Sequence, residues 1–185
     1  PVIFLGNEFF DALPIKQFRK INNILYEQYV ELENNSRIKT VLKKASTKII
    51  IELKKYNLLK DQSFIEFPKQ GLTELELIVS TIKKLNGGLL LIDYGFLKQK
   101  SQNTLQSVKN HKINKIFDNI GNADITSLVN FNLIEKYLKR KKLRVNKIVT
   151  QEFFLKKMGI INRAEIVSKK MNFKEKADLY FRLQR

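Results

Sequence analysis

The sequence predicts an α/β fold built on an open sheet, and three observations carry that prediction. Val2 to Leu5 is an apolar run that leads to the polar pair Asn7-Glu8. Leu72, Leu75, Ile78, Val79, Ile82 and Leu85 recur at helical spacing and stop at Asn86-Gly87-Gly88, a helix-ending signal. Gly88 to Ile92 is then apolar without interruption and is followed by Asp93-Tyr94-Gly95. A strand with no polar face is one buried in the middle of a parallel sheet, and strand, helix, strand is the order of a parallel crossover. In such sheets ligands bind beyond the carboxyl ends of the strands, where Asn7-Glu8 and Asp93 fall.

The remaining elements follow in chain order. Gly6 to Pro14 reads as a polar turn padded with aromatic residues, and Ile15 to Arg19 as a short extended segment. Ile24 to Leu32 and Ile38 to Leu42 make a hairpin around the turn Glu33-Asn34-Asn35-Ser36. Ser46 to Tyr56 admits two readings, because Ile49-Ile50-Ile51 is β-branched while Ile49, Leu53 and Tyr56 fit a helix; the helix is preferred. Phe64 to Phe67 is a strand ended by Pro68. Phe96 to Asn122 is polar and weakly periodic, the pattern of a long functional loop. Asp124 reads as the N-cap of a helix through Leu128 and Val129 towards Leu138, and Leu143 to Val149 as a strand. Gln151 to Met158 is a helix stopped at Gly159, and two more helices follow. The last carries Phe173, Ala177, Tyr180, Phe181 and Gln184 at helical spacing.

Composition narrows the function classes. At 185 residues and 43% hydrophobic the chain is a core-former with room for one domain. Its longest apolar runs are about five residues, against the ~20 that a membrane-crossing helix needs. Cysteine is absent, which excludes disulfides, thiolate metal sites and cysteine nucleophiles and fits a reducing compartment. A single histidine, His111, excludes a multi-histidine centre, and no metal is expected. The net charge of +17 raises nucleic acid or an anionic membrane as partner. Of the basic residues 28 are lysine and 7 arginine, whereas planar recognition of phosphates and bases favours arginine. Lysine, isoleucine and asparagine share A/T-rich codons, and clusters such as Lys54-Lys55 and Lys139 to Lys142 are short and scattered. Nucleic acid is therefore not the expected partner.

Asn7-Glu8-Phe9-Phe10-Asp11-Ala12-Leu13-Pro14 and Leu91-Ile92-Asp93-Tyr94-Gly95 resemble the signature segments of the MidA-like family. Four further segments agree in order: Thr104-Leu105-Gln106 with His111, Ala123 to Thr126 through Asn130-Phe131, Gln151 with Phe154-Leu155, and Gly159-Ile160. That family comprises S-adenosylmethionine-dependent methyltransferases, among them mitochondrial proteins required for assembly of respiratory complex I. The resemblance implies a Rossmann-like class I methyltransferase sheet. Residues 1–185 would be the C-terminal portion of one domain, with Val2 to Leu5 as its fourth strand and Gly88 to Asp93 as its fifth. A hairpin-containing segment at about 15–68 would be a substrate-facing insert.

The same resemblance implies S-adenosylmethionine as cofactor and methylation of a protein arginine, with a respiratory complex I subunit as the protein substrate. The place of action would be a bacterial cytoplasm or the mitochondrial matrix. Three departures qualify it. None of the seven glycines forms a GxG, so the main cofactor loop is not in this chain. The N-terminal cofactor-binding half and a closing C-terminal segment are expected to be missing; the half is either a separately encoded partner that pairs across Val2 to Leu5 or lost. The family also usually has glycine where Asn103 stands.

Site residues follow from the resemblance and from their chemistry. Glu8 and Asp11 lie three apart past a strand end, so a helical turn would bring both carboxylates to one side, suited to binding a guanidinium by charge-assisted pairs. Asn7 would orient substrate or touch the cofactor's methionine end, and Asp93 faces the same crevice as a cofactor ligand. Tyr94 and His111 are further substrate-side candidates, His111 also as a base. The plainer alternatives stand beside these: Asp11 and Asp93 as caps, Glu8 as a solvated acid, His111 as a loop residue. Phe9, Phe10, Leu13 and Pro14 read as packing. A basic RNA-binding module with Tyr26 and Tyr29 stacking on bases, or a non-catalytic interaction module, is the competing function.

Overall fold

The computed structural model describes residues 1–33, 37–98 and 101–183; of the expected turn Glu33-Asn34-Asn35-Ser36 the last three residues, and the helical position Gln184, lie outside the described residues. The chain divides into two compact units, Pro1–Val145 and Asn146–Arg185.

In the first unit β1 (Ile3–Asn7) leads through a turn into β2 (Lys16–Ile21), β3 (Ile24–Glu33) and β4 (Arg37–Lys44). After α1 (Thr47–Lys55), β5 (Phe64–Phe67) joins them in an antiparallel sheet of order β4-β3-β2-β5. α2 (Lys69–Leu85) then returns the chain so that β6 (Gly88–Ile92) pairs parallel with β1, Ile3 opposite Gly88 and Asn7 opposite Ile92. β7 (Gly95–Phe96), β8 (Gln106–Lys109), β9 (Lys112–Asn114), β10 (Asp124–Thr126) and β11 (Val129–Asn130) follow. β8, β9 and β10 form a small sheet of order β10-β8-β9, β11 pairs parallel with β7, and α3 (Phe131–Arg140) comes next.

Local chemistry explains the helix ends. The Ser46 hydroxyl accepts the Ile49 amide at 3.4 Å, and Ile49 and Leu53, one turn apart, are both buried. That cap and that spacing decide the Ser46–Tyr56 ambiguity for helix, against the β-branched run. α2 ends on Asn86 in the left-handed region at φ 51°, where the Gly87 amide returns to Ile82 O at 2.9 Å. The core lies where β2 and β5 meet α1, α2 and α3: Phe18, Phe67, Leu53, Leu75 and Leu133 are almost completely buried there, with the Tyr56 and Tyr137 rings tilted at 34° and 6.3 Å apart.

In the second unit, α4 (Gln151–Lys157) is capped by Thr150, whose hydroxyl accepts the Phe153 amide at 3.2 Å. Gly159, at φ 85°, separates it from α5 (Ile160–Ser168). α6 (Phe173–Leu183) opens with a reciprocal capping box: Glu175 N donates to Asn172 Oδ1 at 3.0 Å and Asn172 N to Glu175 Oε2 at 2.9 Å.

Four expectations are corrected. The stretch Phe96 to Asn122 is not one long loop, because Asn110 and His111 both adopt left-handed φ, 49° and 60°, and close the β8–β9 hairpin. Asp124 begins β10 instead of capping a helix; the cap is Asn130, whose Oδ1 accepts the Leu133 amide at 3.0 Å. The β-branched Ile125-Thr126 pair in a ladder with β8 outweighs the cap signal of Asp124. Leu143 to Val149 carries no strand, since no described strand offers it a ladder. β6 is half-buried along its whole length and not the centre of a larger sheet among the described residues, because β1 is its one described neighbour.

Candidate functional site

Because β1 and β6 run parallel, their carboxyl ends lie side by side and the turns that follow them meet. The Glu8 amide donates to Ile92 O at 2.9 Å, which carries the pairing one residue past β1. Glu8 itself sits at φ 47°, a conformation that side chains with a Cβ seldom adopt, and here it bends the chain sharply away from the strand line. Phe10 anchors the turn. Its side chain is buried, meets Phe9 edge to face at 5.3 Å and 88°, and with Leu13 lies over Gly71 at the start of α2. The expected packing role of Phe10 and Leu13 is thus visible as contacts.

Asp93 clasps this turn from the other strand. Its Oδ2 accepts the amides of Phe10 at 2.9 Å and Asp11 at 3.3 Å, and its Oδ1 accepts the amide of Tyr94 at 2.9 Å. Asp11 O in turn accepts the Ser127 amide at 2.9 Å, so the segment after β10 holds the turn from a third side. Burial pushes the Asp11 carboxyl above its ordinary value, the Asp93 carboxylate adds to the push and Glu8 adds less, while the Ala12 amide opposes it. Glu8, Asp11 and Asp93 therefore form one electrostatic group. Asn7, Glu8, Phe9 and Tyr94 are exposed around it.

The structure brings Asn7, Glu8, Asp11, Asp93 and Tyr94 together and leaves His111 apart. His111 is in the β8–β9 turn, and the register sets Thr126, next to Ser127, opposite Gln106 at the other end of β8. An arrangement of three acids flanked by exposed aromatic rings suits a cation, and a planar one above all. Among the described residues no three histidine or acidic side chains are placed to hold a metal ion, and no helix is long and apolar enough to cross a membrane.

A second polar group went unread in the sequence. Glu66 Oε1 accepts Gln17 Nε2 at 2.9 Å and the Thr104 amide at 3.0 Å, and Glu66 Oε2 accepts the Thr104 hydroxyl. Thr104 Oγ1 accepts the Leu128 amide at 3.0 Å. Asn103, at the position where the resemblance leads one to expect glycine, does not adopt left-handed φ; its Oδ1 accepts Gln17 Nε2 at 2.7 Å and the Leu105 amide at 3.1 Å. The turn there needs no glycine, and asparagine adds two hydrogen bonds to it. The signal in the sequence was the lone acid inside the apolar strand Phe64-Ile65-Glu66-Phe67.

Comparison with known proteins follows the same lines. The model of the S-adenosyl-L-methionine-dependent methyltransferase family matches residues 1–149. Protein arginine methyltransferase NDUFAF7 of Danio rerio mitochondria is 31% identical over 169 residues, 89% of this chain and 39% of that protein. Its Caenorhabditis elegans homologue is 31% identical over 164 residues, 87% of this chain and 38% of that protein. A crystal structure of a Burkholderia thailandensis protein superposes with TM-score 0.81 at 18% identity, over 98% of this chain and 50% of that one. A second, bound to S-adenosyl-homocysteine, gives TM-score 0.77 at 20% identity over 96% and 48%. These two share the fold, and the chain spans about two fifths of the length of the curated relatives. With the family model matching four fifths of its length and the mixed α/β fold of these neighbours, the chain belongs to the S-adenosyl-L-methionine-dependent methyltransferase family.

Proposed function

We propose that the turn Asn7 to Asp11 seats an arginine guanidinium, and that this chain is the substrate side of a protein arginine methyltransferase. The observation that carries the reading is the joining of Glu8, Asp11 and Asp93 at the carboxyl ends of the parallel pair β1–β6. The three acids divide the work. Asp93 spends its oxygens on three backbone amides, so we assign it to shaping the turn. Glu8 and Asp11 keep carboxylate oxygens for the substrate, and two acceptors at fixed positions hold a planar guanidinium in one orientation. Binding the cation also offsets the burial and, after it, the Asp93 repulsion that push Asp11 up. Phe9 and Tyr94 would cover the faces of the guanidinium and exclude water from it.

The residues present fit S-adenosylmethionine in part. Asn7, exposed at the end of β1, has an amide that suits the carboxylate or amino group of a methionine moiety. Asp93 is engaged by backbone, and no GxG supplies the phosphate-style turn that cradles such cofactors in related folds. When bound, the cofactor supplies an electrophilic methyl group on sulfur. This chain's part is to hold the accepting nitrogen in place between Glu8 and Asp11.

In the finer reading β1 and β6 are the fourth and fifth strands of a class I methyltransferase sheet. The glycine-rich half is supplied by residues not in this sequence, in the same protein or in a partner that pairs along β1. The relatives' names point to a protein substrate in mitochondria, and a respiratory complex I subunit extends that reading. Of the two rings that the RNA-binding alternative would use, Tyr29 already has the ammonium groups of Lys43 and Lys16 over it at 5.3 and 5.9 Å, which favours the arginine reading.

Calorimetric titration tests the proposal with two ligands. An arginine peptide should bind the chain and fail to bind Asp11→Asn. S-adenosylhomocysteine should bind when the N-terminal half of a related full-length protein is added. A folded chain that ignores the arginine peptide would sink the guanidinium reading.

A further inference from the structure

Hydrogen bonds of fixed direction run from the antiparallel sheet to the acidic turn. Gln28 Nε2 on β3 donates to Gln17 Oε1 on β2 at 2.8 Å, and Gln17 Nε2 donates to Glu66 Oε1 on β5 at 2.9 Å. The Thr104 hydroxyl donates to Glu66 Oε2, which leaves its lone pairs for the Leu128 amide at 3.0 Å. One residue earlier, the Ser127 amide holds Asp11 O at 2.9 Å. Gln17 and Ser127 are both buried, so a lost partner there is not replaced by water at no cost.

Pinning the 101–105 loop to β5 would need less than this. Ser101 Oγ already accepts the amides of Ser63 at 2.9 Å and Phe64 at 2.8 Å, and the Thr104 amide already reaches Glu66. What the pinning leaves unexplained is the Thr104 hydroxyl, whose second bond goes forward to the segment that grips Asp11.

We propose that Glu66 and Thr104 are positioning residues that fix the Asp11 turn relative to the β2–β5 sheet. A peptide lying against that sheet would then present its arginine at a set distance from Glu8 and Asp11. The proposal rests on the guanidinium reading of those two acids, and the test separates the two.

The full chain and the variants Thr104→Val, Thr104→Ser, Glu66→Gln and Asp11→Asn are compared by titration with an arginine peptide and by amide hydrogen exchange at Ser127 and Leu128. Thr104→Val should weaken the peptide by about tenfold, the size of one neutral hydrogen bond. It should also speed exchange at both Leu128 and Ser127, and Thr104→Ser should restore both. If Thr104→Val does not fold, Glu66→Gln, which turns one acceptor into a donor, carries the same expectation. Faster exchange at Leu128 alone, with peptide affinity and Ser127 exchange as in the parent chain, overturns the proposal. If the parent chain binds no arginine peptide, the guanidinium reading falls. Exchange at Ser127 in Thr104→Val then decides: faster exchange supports the link to Asp11, and unchanged exchange overturns it.

Discussion

Asp93 Oδ2 accepts the amide of Phe10 at 2.9 Å, across 83 residues of sequence. A side chain at the end of β6 thereby sets the backbone at the end of β1. With the Asp11 and Tyr94 amides on the same carboxylate, three donors depend on one acid. Asp93→Asn keeps an oxygen but loses the charge and an acceptor site. It should cost about 1–3 kcal/mol, the range for an amide left short of a charged partner. Urea denaturation reads this as a lower midpoint at unchanged slope; an unchanged midpoint would show that the clasp contributes nothing.

The raised Asp11 carboxyl makes stability depend on pH in a set direction. Its folded value lies above the unfolded value of 3.8, so the unfolded chain ionises first. Its contribution to stability is fully present below 3.8 and is lost as pH rises through the folded value. At pH 7 Asp11→Asn should therefore be as stable as the parent or more so, with the difference vanishing below 3.8, while arginine-peptide binding is lost. Thermal melts at the two ends of that range check the sign, and a variant less stable at neutral pH would contradict it.

Gly95 is held to glycine by space, not by φ. A Cβ there would stand 2.2 Å from Val129 O and 2.7 Å from the Phe131 ring, where β7 meets β11. Gly95→Ala should cost roughly 1–3 kcal/mol as an overpacked contact. Gly88→Ala meets nothing within 4 Å and should stay within about 0.5 kcal/mol of the parent. Equal effects in the two variants would remove the steric account.

α2 offers a paired test of which face is core. Leu75 is completely buried and Leu77 is 61% exposed. Leu75→Ala should cost about 2–5 kcal/mol and Leu77→Ala less than about 0.5, both read by chemical denaturation. Similar losses at both would mean that the exposed face is covered in solution.

Sequence alone determined the elements whose ends are written within a few residues. Asn86 ends α2, Pro68 ends β5, Gly159 stops α4, and the runs Ile3 to Leu5 and Gly88 to Ile92 form the parallel pair. It also placed the family, because the segments around Glu8 and Asp93 are contiguous. A cap or a hydrophobic period is a local interaction, so local sequence is enough to read it.

Tertiary structure decided what each polar side chain is for. Asp124 has the chemistry of a cap, yet the ladder with β8 takes it and Asn130 caps instead. Leu143 to Val149 has the composition of a strand but no described partner to pair with. Asp93 and Glu66 look alike as acids; one meets three amides from two turns, and the other meets Gln17 and Thr104. Those partners are chosen by the register of strands brought together through a long crossover. Register is a property of the assembled sheets and of which backbone groups remain to be satisfied, and no short stretch of sequence contains it.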